Sequence, residues 1–294
     1  MAENNNNTRQ RQADGKPLTL KSIMVATDFS ESSLNALAYS GSLAKALNAR
    51  LYIIHAFLSP VTPGDMISPE AVSKLSAAHK DRLQKLAESV SKDFGIPAEG
   101  IFTTGLAVDR IINEEKRADL IILGMNGAGN AARFGSVATG ILNRTRKPVL
   151  FIPAKATYTM PSLIVFACDY QREIEQHNLD LLKVLKTTFG TRFLIGNVIS
   201  KGEEHPDATE MNRKLKAELG VGEKAFAWIE DDDLVHGLEK FYTLHHANLL
   251  VFIHHHYSYF SRLFHKSASE AEAFYTHIPL LVMPEEQVAE LRNS

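Results

Sequence analysis

Ala118-Asp119-Leu120-Ile121-Ile122-Leu123-Gly124-Met125-Asn126-Gly127-Ala128-Gly129 runs from an apolar strand straight into a glycine-rich turn. Gly135-Ser136 then opens a helix, and Pro148-Val149-Leu150-Phe151-Ile152-Pro153 reads as a second strand. A strand, a glycine turn and a helix N-terminus together form an arrangement that can cradle phosphate. Glycines let backbone N–H groups approach closely, and the first helical turn offers unpaired donors with the positive end of the helix dipole. The same framework recurs in the second half of the chain with the glycines gone.

Working outward from that stretch, the first half alternates strand and helix. Ser22 to Thr27 is a short apolar run ending at Asp28. Ser30 is placed to cap a following helix, whose apolar stripe reads Leu34, Leu37, Ala38, Gly41 and Ala44. Arg50 to Phe57 is a second strand, and Ser68-Pro69-Glu70 starts a long amphipathic helix to about Lys92, since proline is favoured in a first turn. Ile101 to Thr104 gives a third strand, and Val108, Ile111 and Ile112 mark a third helix. Such alternation predicts a parallel sheet covered on both faces.

The second half repeats four landmarks in order. Val25-Ala26-Thr27-Asp28-Phe29 returns as Phe166-Ala167-Cys168-Asp169-Tyr170, and Arg50 to His55 as Arg192 to Asn197. Ala118 to Ile122 returns as Ala247 to Val251, and Arg146 to Pro153 as His277 to Pro284. The fold expected is α/β, two tandem doubly wound units. The units are placed at 18–153 and 161–294, joined by a connector at 154–160 and preceded by a polar, disordered tail at 1–17.

With 294 residues the chain can bury two cores, and 45% hydrophobic with 22% charged residues suits a soluble protein. A net charge of −2 argues against nucleic acid as a main partner. No apolar run reaches membrane-spanning length, and Met1 to Pro17 lacks a signal peptide's apolar middle. The single cysteine, Cys168, forbids an internal disulfide and fits a reducing cytoplasm.

In doubly wound sheets, ligands occupy the crevice at the carboxyl ends of the strands where the order reverses. For the order 3-2-1-4-5 that point lies between the first and fourth strands, where Asp28 and Gly124 end their strands. Asp28 can accept from ribose hydroxyls or adenine donors, while Gly127 and Ser136 N–H groups face phosphate. Each charge-assisted bond of this kind is worth about 1.5–3 kcal/mol. The competing reading of Asp28 is a turn former or helix cap. The turn Asp28 to Ser33 holds no glycine, so the usual dinucleotide fingerprint is absent, as is a G-x-x-x-x-G-K-[ST] loop.

At these residues the chain resembles the universal stress protein family, in a tandem two-domain form, from Leu18 to Glu285. ATP-binding members of that family carry G-x2-G-x9-G-[ST] after the fourth strand, an aspartate ending the first strand and a proline before the fifth. The resemblance implies a five-stranded parallel sheet in each unit, with helices on both faces. It makes Asp28 the aspartate, Ala56 the position whose backbone meets adenine, and Gly124, Gly127, Gly135, Ser136 and Val137 the phosphate-side residues. The ligand implied is ATP or AMP, with Mg²⁺ as a companion ion. Antiparallel pairing of Val149–Ile152 with Leu280–Met283 is implied too, as an intramolecular pseudo-dimer, and further homodimerisation stays open.

Two departures limit the carry-over. Seven residues separate Gly127 from Gly135, two fewer than the family pattern, or about 3 Å of helical rise. In the second unit the spacing is kept, but Ile253, His256 and Lys266 stand at the glycine positions and Ser267 at the serine. Bulky residues there obstruct backbone approach to a triphosphate, so the second unit is expected to be structural or regulatory.

Other features have plainer readings. His254-His255-His256 invites a metal, but consecutive histidines alternate faces along a strand, and a polar rim is the expectation. Glu230 to Asp233 is expected to cap a helix or form a solvated turn, and Cys168 to be a small buried residue. An H-x-G-H pair, an S-G-G-x-D-S loop and a general base beside the glycines are all missing, which disfavours a nucleotidyl transferase or ATPase. The expectation is therefore a non-enzymatic, cytoplasmic nucleotide-binding protein of the stress response. A non-binding tandem scaffold working through protein association is the alternative.

Overall fold

The computed structural model describes residues 20–59, 68–125, 136–170, 173–254 and 277–284. The first unit contains β1 (Ser22–Ala26), α1 (Glu31–Leu47), β2 (Arg50–Phe57), α2 (Pro69–Phe94), β3 (Ala98–Thr104), α3 (Ala107–Glu114), β4 (Leu120–Met125), α4 (Ser136–Leu142) and β5 (Val149–Pro153). The second contains β6 (Leu163–Ala167), α5 (Gln176–Phe189), β7 (Arg192–Ile199), α6 (Thr209–Leu219), β8 (Phe226–Glu230), α7 (Leu234–His245), β9 (Leu249–His254) and β10 (Leu280–Pro284).

All ten strands form one sheet in the order β3-β2-β1-β4-β5-β10-β9-β6-β7-β8. Each half is thus 3-2-1-4-5, the second a mirror of the first in strand order. Pairing is parallel throughout each half and antiparallel only at the seam, where Leu280 faces Phe151, Leu281 faces Leu150 and Val282 faces Val149. This is the fifth-strand pairing that the resemblance implies.

Period-two alternation along the strands feeds two cores, one on each face. Ile23, Val25, Leu51, Ile53, Ile122 and Phe166 point to the layer of α1, α2, α5 and α6. Met24, Ile54, Ile121, Phe151, Val165 and Val282 point to the layer of α3, α4 and α7. Phe151 and Phe166 are fully buried, one on each face. No described helix is long and apolar enough to cross a membrane.

Local signals act as the sequence suggests, with small shifts. The hydroxyl of Ser30 caps α1 by accepting from Ser33 N–H, and Ser68 caps α2 by accepting from Ala71 N–H with Pro69 next. The buried stripe of α1 sits slightly differently from the reading: Ala36, Leu37, Ser40, Gly41, Ala44 and Leu47 are buried, while Ala38 is exposed. At 100° per residue Ala38 falls beyond the edge of that stripe. Strand β3 starts at Ala98, three residues before the expected start, because pairing with β2 recruits the weakly apolar Ala98-Glu99-Gly100. Helix α2 runs on to Phe94, whose ring covers Gly41 so closely that a Cβ there would lie 2.6 Å away.

Candidate functional site

The register brings the expected residues to one level of the sheet. Val25 pairs with Ile53 on one side and with Ile122 on the other. Counting on, Asp28 is level with Ala56 and with the last residue of β4, one step past Gly124. Ladder parity also fixes where the backbone of Ala56 points. Arg50 N–H bonds to Lys21, Thr27 N–H bonds to the Ile54 carbonyl, and Leu51 N–H bonds to Pro97 on the other side. Even-numbered residues of β2 therefore face β1. Since β1 stops at Ala26, the N–H and C=O of Ala56 face the crevice beyond its end.

The turn out of β1 is built by side chains. The hydroxyl of Thr27 accepts from Phe29 N–H at 3.0 Å and bonds the Ser33 hydroxyl at 3.0 Å. Oδ1 of Asp28 accepts from Ser30 N–H at 3.0 Å and from the Ser30 hydroxyl at 2.5 Å. Partial desolvation pushes the Asp28 carboxyl up, but these bonds outweigh it and hold the group below the usual aspartate value. Asp28 is thus the turn former of its own loop as well as the polar group at the crevice mouth.

Phe29 has φ +65°, a left-handed conformation that costs a side-chain-bearing residue about 1–2 kcal/mol. Its ring is held in return. His55 lies 4.5 Å away between centroids, His79 lies 5.8 Å away, and the Arg82 guanidinium stands 4.2 Å over the face. Tyr170, the matching residue of the second unit, has φ +58° and stacks on Trp228 at 5.1 Å.

Gly124 has a packing reason of its own. A Cβ there would lie 2.7 Å from the Ser32 carbonyl oxygen, so the first turn of α1 rests directly on the end of β4. The second unit places the buried Ile253 at this level of β9. Its first helix begins later to match. Asn35 bonds the Pro153 carbonyl with four helical residues before it, whereas Asn178 bonds the Pro284 carbonyl with two.

Ser136 and Val137 begin the seven-residue α4, which packs beside α3. Gly127, Gly129 and Gly135 lie outside the described residues, as do His255, His256, Lys266, Ser267, the aromatic run Tyr257 to Phe264 and the N-terminal tail. Among the described residues, no group of three or more His, Cys, Asp or Glu side chains is placed to hold a metal ion. The acidic run acts locally: Asp231 accepts from Asp233 N–H at 2.9 Å and from Lys240 at 2.7 Å, and Asp233 accepts from His236 N–H at 3.2 Å. Cys168 is buried, and desolvation pushes its thiol up to about 12.

Sequence reading missed the pairing of His55 with His79, whose rings both lie against that of Phe29. A usable signal was present. His79 interrupts the inward-facing apolar stripe of α2, four residues before the buried Leu83.

These features define a class: a tandem α/β protein with two half-sheets fused edge to edge and a crevice at the strand-order reversal of the first. Comparison with known proteins agrees. Residues 19–153 match the model of the universal stress protein family. A universal stress protein of Methanocaldococcus jannaschii is 29% identical over 139 residues, covering 45% of this chain and 81% of that protein. Another from Thermus aquaticus is 29% identical over 140 residues, covering 45% of this chain and 98% of that one. The crystal structure of a universal stress protein from Archaeoglobus fulgidus aligns with a TM-score of 0.70 at 20% identity, over 90% of this chain and 98% of that chain. At that identity the likeness is one of fold, and it spans both halves. Residues 19–153 belong to the universal stress protein family, and the second unit repeats their fold.

Proposed function

We propose that the first unit binds an adenine nucleotide, ATP or AMP, and holds it without efficient turnover, in a cytoplasmic protein of the stress response. The second unit is then structural or regulatory, with unit boundaries at 18–153, 154–160 and 161–294. The observation that carries this reading is the outward-facing backbone of Ala56, level with Asp28. One N–H and one C=O from a single residue complement the acceptor N1 and donor N6 of adenine. The carboxylate of Asp28 stands within the same level for ribose hydroxyls. Gly124, Gly127, Gly135, Ser136 and Val137 would serve the phosphates, with Mg²⁺ as a companion ion. No turnover is assigned, because Asp28 is held by Ser30 and suits a binding role better than activation of water.

A second reading, a tandem scaffold acting through protein association, draws on one observation. Asp28 and Gly124 both have structural work within the first unit, so neither residue requires a ligand to account for it.

The two readings separate cleanly in solution. Small molecules released from freshly purified protein are identified by mass spectrometry, and stripped protein is titrated with ATP by calorimetry, with and without Mg²⁺. One adenine nucleotide per chain is expected, with affinity weakened in Gly127→Leu and retained in His256→Ala. Absence of saturable binding under both conditions would leave the scaffold reading standing.

A further inference from the structure

His55 is a buried imidazole on β2, only 5% exposed. Its Nδ1 lies 2.8 Å from the Thr27 carbonyl, so that nitrogen carries the hydrogen and donates. Nε2 is then the acceptor end, and it lies 2.9 Å from Nδ1 of His79 on α2.

The second unit shows what part of this the fold requires. Ala26 pairs with Ile54, and Ala167 pairs with Gly196, so His55 and Asn197 hold the same position. Nδ2 of Asn197 donates to the Cys168 carbonyl at 2.6 Å, as His55 does to Thr27. An amide therefore pins the end of the first strand as well as an imidazole does. The imidazole of the first unit adds a second nitrogen, and that nitrogen engages α2.

Helix α2 is seated more lightly in its first half than in its second. Its buried residues, Leu83, Ala87 and Val90, all lie in its second half. In the first half Ala71, Ser73, Lys74, Leu75, Ala77 and Ala78 are exposed. Val72, Ser76 and His79 are half-buried along its inward face, and His79 packs against the His55 ring at 5.1 Å and the Phe57 ring at 5.1 Å.

We infer that His55 and His79 form a proton-operated latch, which ties the first half of α2 to the sheet at neutral pH and releases it in acid. One added proton is accommodated, because an imidazolium at either ring still donates to the lone pair of the other. A second proton is not. With Nδ1 of His55 committed to Thr27, two N–H groups would then face each other across 2.9 Å. Repulsion between the cations adds to the loss of the bond.

The charged groups acting on His55 are His79 and Arg82 from α2 and Asp28 from the β1 turn. β3 presents the Phe102 ring to it, and the Thr103 hydroxyl donates to its backbone carbonyl at 3.4 Å. Desolvation is the largest influence and disfavours the cation. His79 and Arg82 act the same way, while the Thr27 carbonyl and Asp28 oppose them. The net effect holds His55 below the usual imidazole value. The unfolded chain accordingly takes up this proton near pH 6.5 while the latched state resists it. Latching is at full strength above about pH 6.5 and weakens as pH falls towards the lowered value.

The test is hydrogen exchange of stripped full-length protein read by mass spectrometry between pH 7.5 and 5.0, corrected for intrinsic rates. In the wild type, exchange in residues 69–82 is expected to rise about tenfold relative to residues 83–94 as the pH falls. His55→Asn copies the second unit. Its Nδ2 keeps the bond to Thr27, while its shorter side chain stops short of His79 and carries no titrating nitrogen, so exchange in residues 69–82 should no longer rise as the pH falls. His79→Gln, at a partly exposed position, should also be flat. A flat wild-type profile, or a rise of wild-type size in either variant, would overturn the latch. Nucleotide affinity does not enter any of these outcomes.

Discussion

Asp119 and Asn248 hold the same post in the two units. Oδ2 of Asp119 accepts from Lys21 N–H at 2.9 Å, Ser22 N–H at 3.0 Å and the Ser22 hydroxyl at 2.8 Å. Oδ1 of Asn248 accepts from Ser162 N–H at 2.9 Å, the Ser162 hydroxyl at 2.6 Å and Leu163 N–H at 3.2 Å. In each unit one oxygen gathers the donors that open the first strand and ties them to the residue before the fourth. The charge of the aspartate is therefore dispensable for this task, while the oxygen is not.

Asp119→Ala is expected to lower the stability of the chain by about 1.5–3 kcal/mol, the range for hydrogen bonds to a charged acceptor. Asp119→Asn should cost less than half of that, since the second unit already works with an amide. Urea denaturation of the two variants checks the order. Equal losses would mean that the ionic charge, and not the shared acceptor geometry, sustains the contact.

Gly124→Ala brings a methyl group to 2.7 Å from a backbone carbonyl oxygen, which cannot rotate away as a side chain could. An overpacking cost of about 1–3 kcal/mol is expected, with the start of α1 displaced from β4. Denaturation together with amide chemical shifts of residues 30–34 would read both effects. A variant of wild-type stability with unmoved shifts would show that the helix turn is not seated on the strand.

Cys168 offers a reporter of global opening. Burial and the neighbouring Asp169 push its thiol up to about 12, opposed by a backbone bond from Tyr170, so almost no thiolate exists at pH 8. Native protein should resist an aromatic disulfide reagent at pH 8, and labelling should accelerate with urea in step with unfolding. Labelling within seconds in the absence of urea would show that the end of β6 opens locally.

Much of this architecture was readable because parallel strands buried on both faces spell themselves as apolar runs. Arg50 to Phe57 was bounded correctly at both ends, and the two Asp-aromatic turns, Asp28-Phe29 and Asp169-Tyr170, announced the repeat. Edge strand β3 was read short because Ala98, Glu99 and Gly100 have no apolar signature; pairing to β2 makes them a strand. Ala38 was misplaced because alanines and serines fill α1 on every side and blur the period.

The candidate site was legible in part. Asp28 and Gly124 end neighbouring strands within one step of each other, as strand order foretold, and Ala56, named only through the family resemblance, is level with Asp28. The second purposes of Asp28 and Gly124 were hidden, since each depends on where the first turn of α1 comes to rest. The partnership of His55 and His79 was hidden for another reason. It joins a strand to a helix 24 residues on, and the local stripe shows that His79 faces inward but not which partner it meets.

The seam between β5 and β10 has an evolutionary corollary. Two identical subunits meeting about a twofold axis must accept every substitution twice, once on each side of the interface. Here Leu280 answers Phe151 within one chain, and the two sides carry different residues. Each half is inherited with its partner but is free to change alone. One half can therefore keep Gly124 and His55 while the other carries Ile253 and Asn197 at the matching positions.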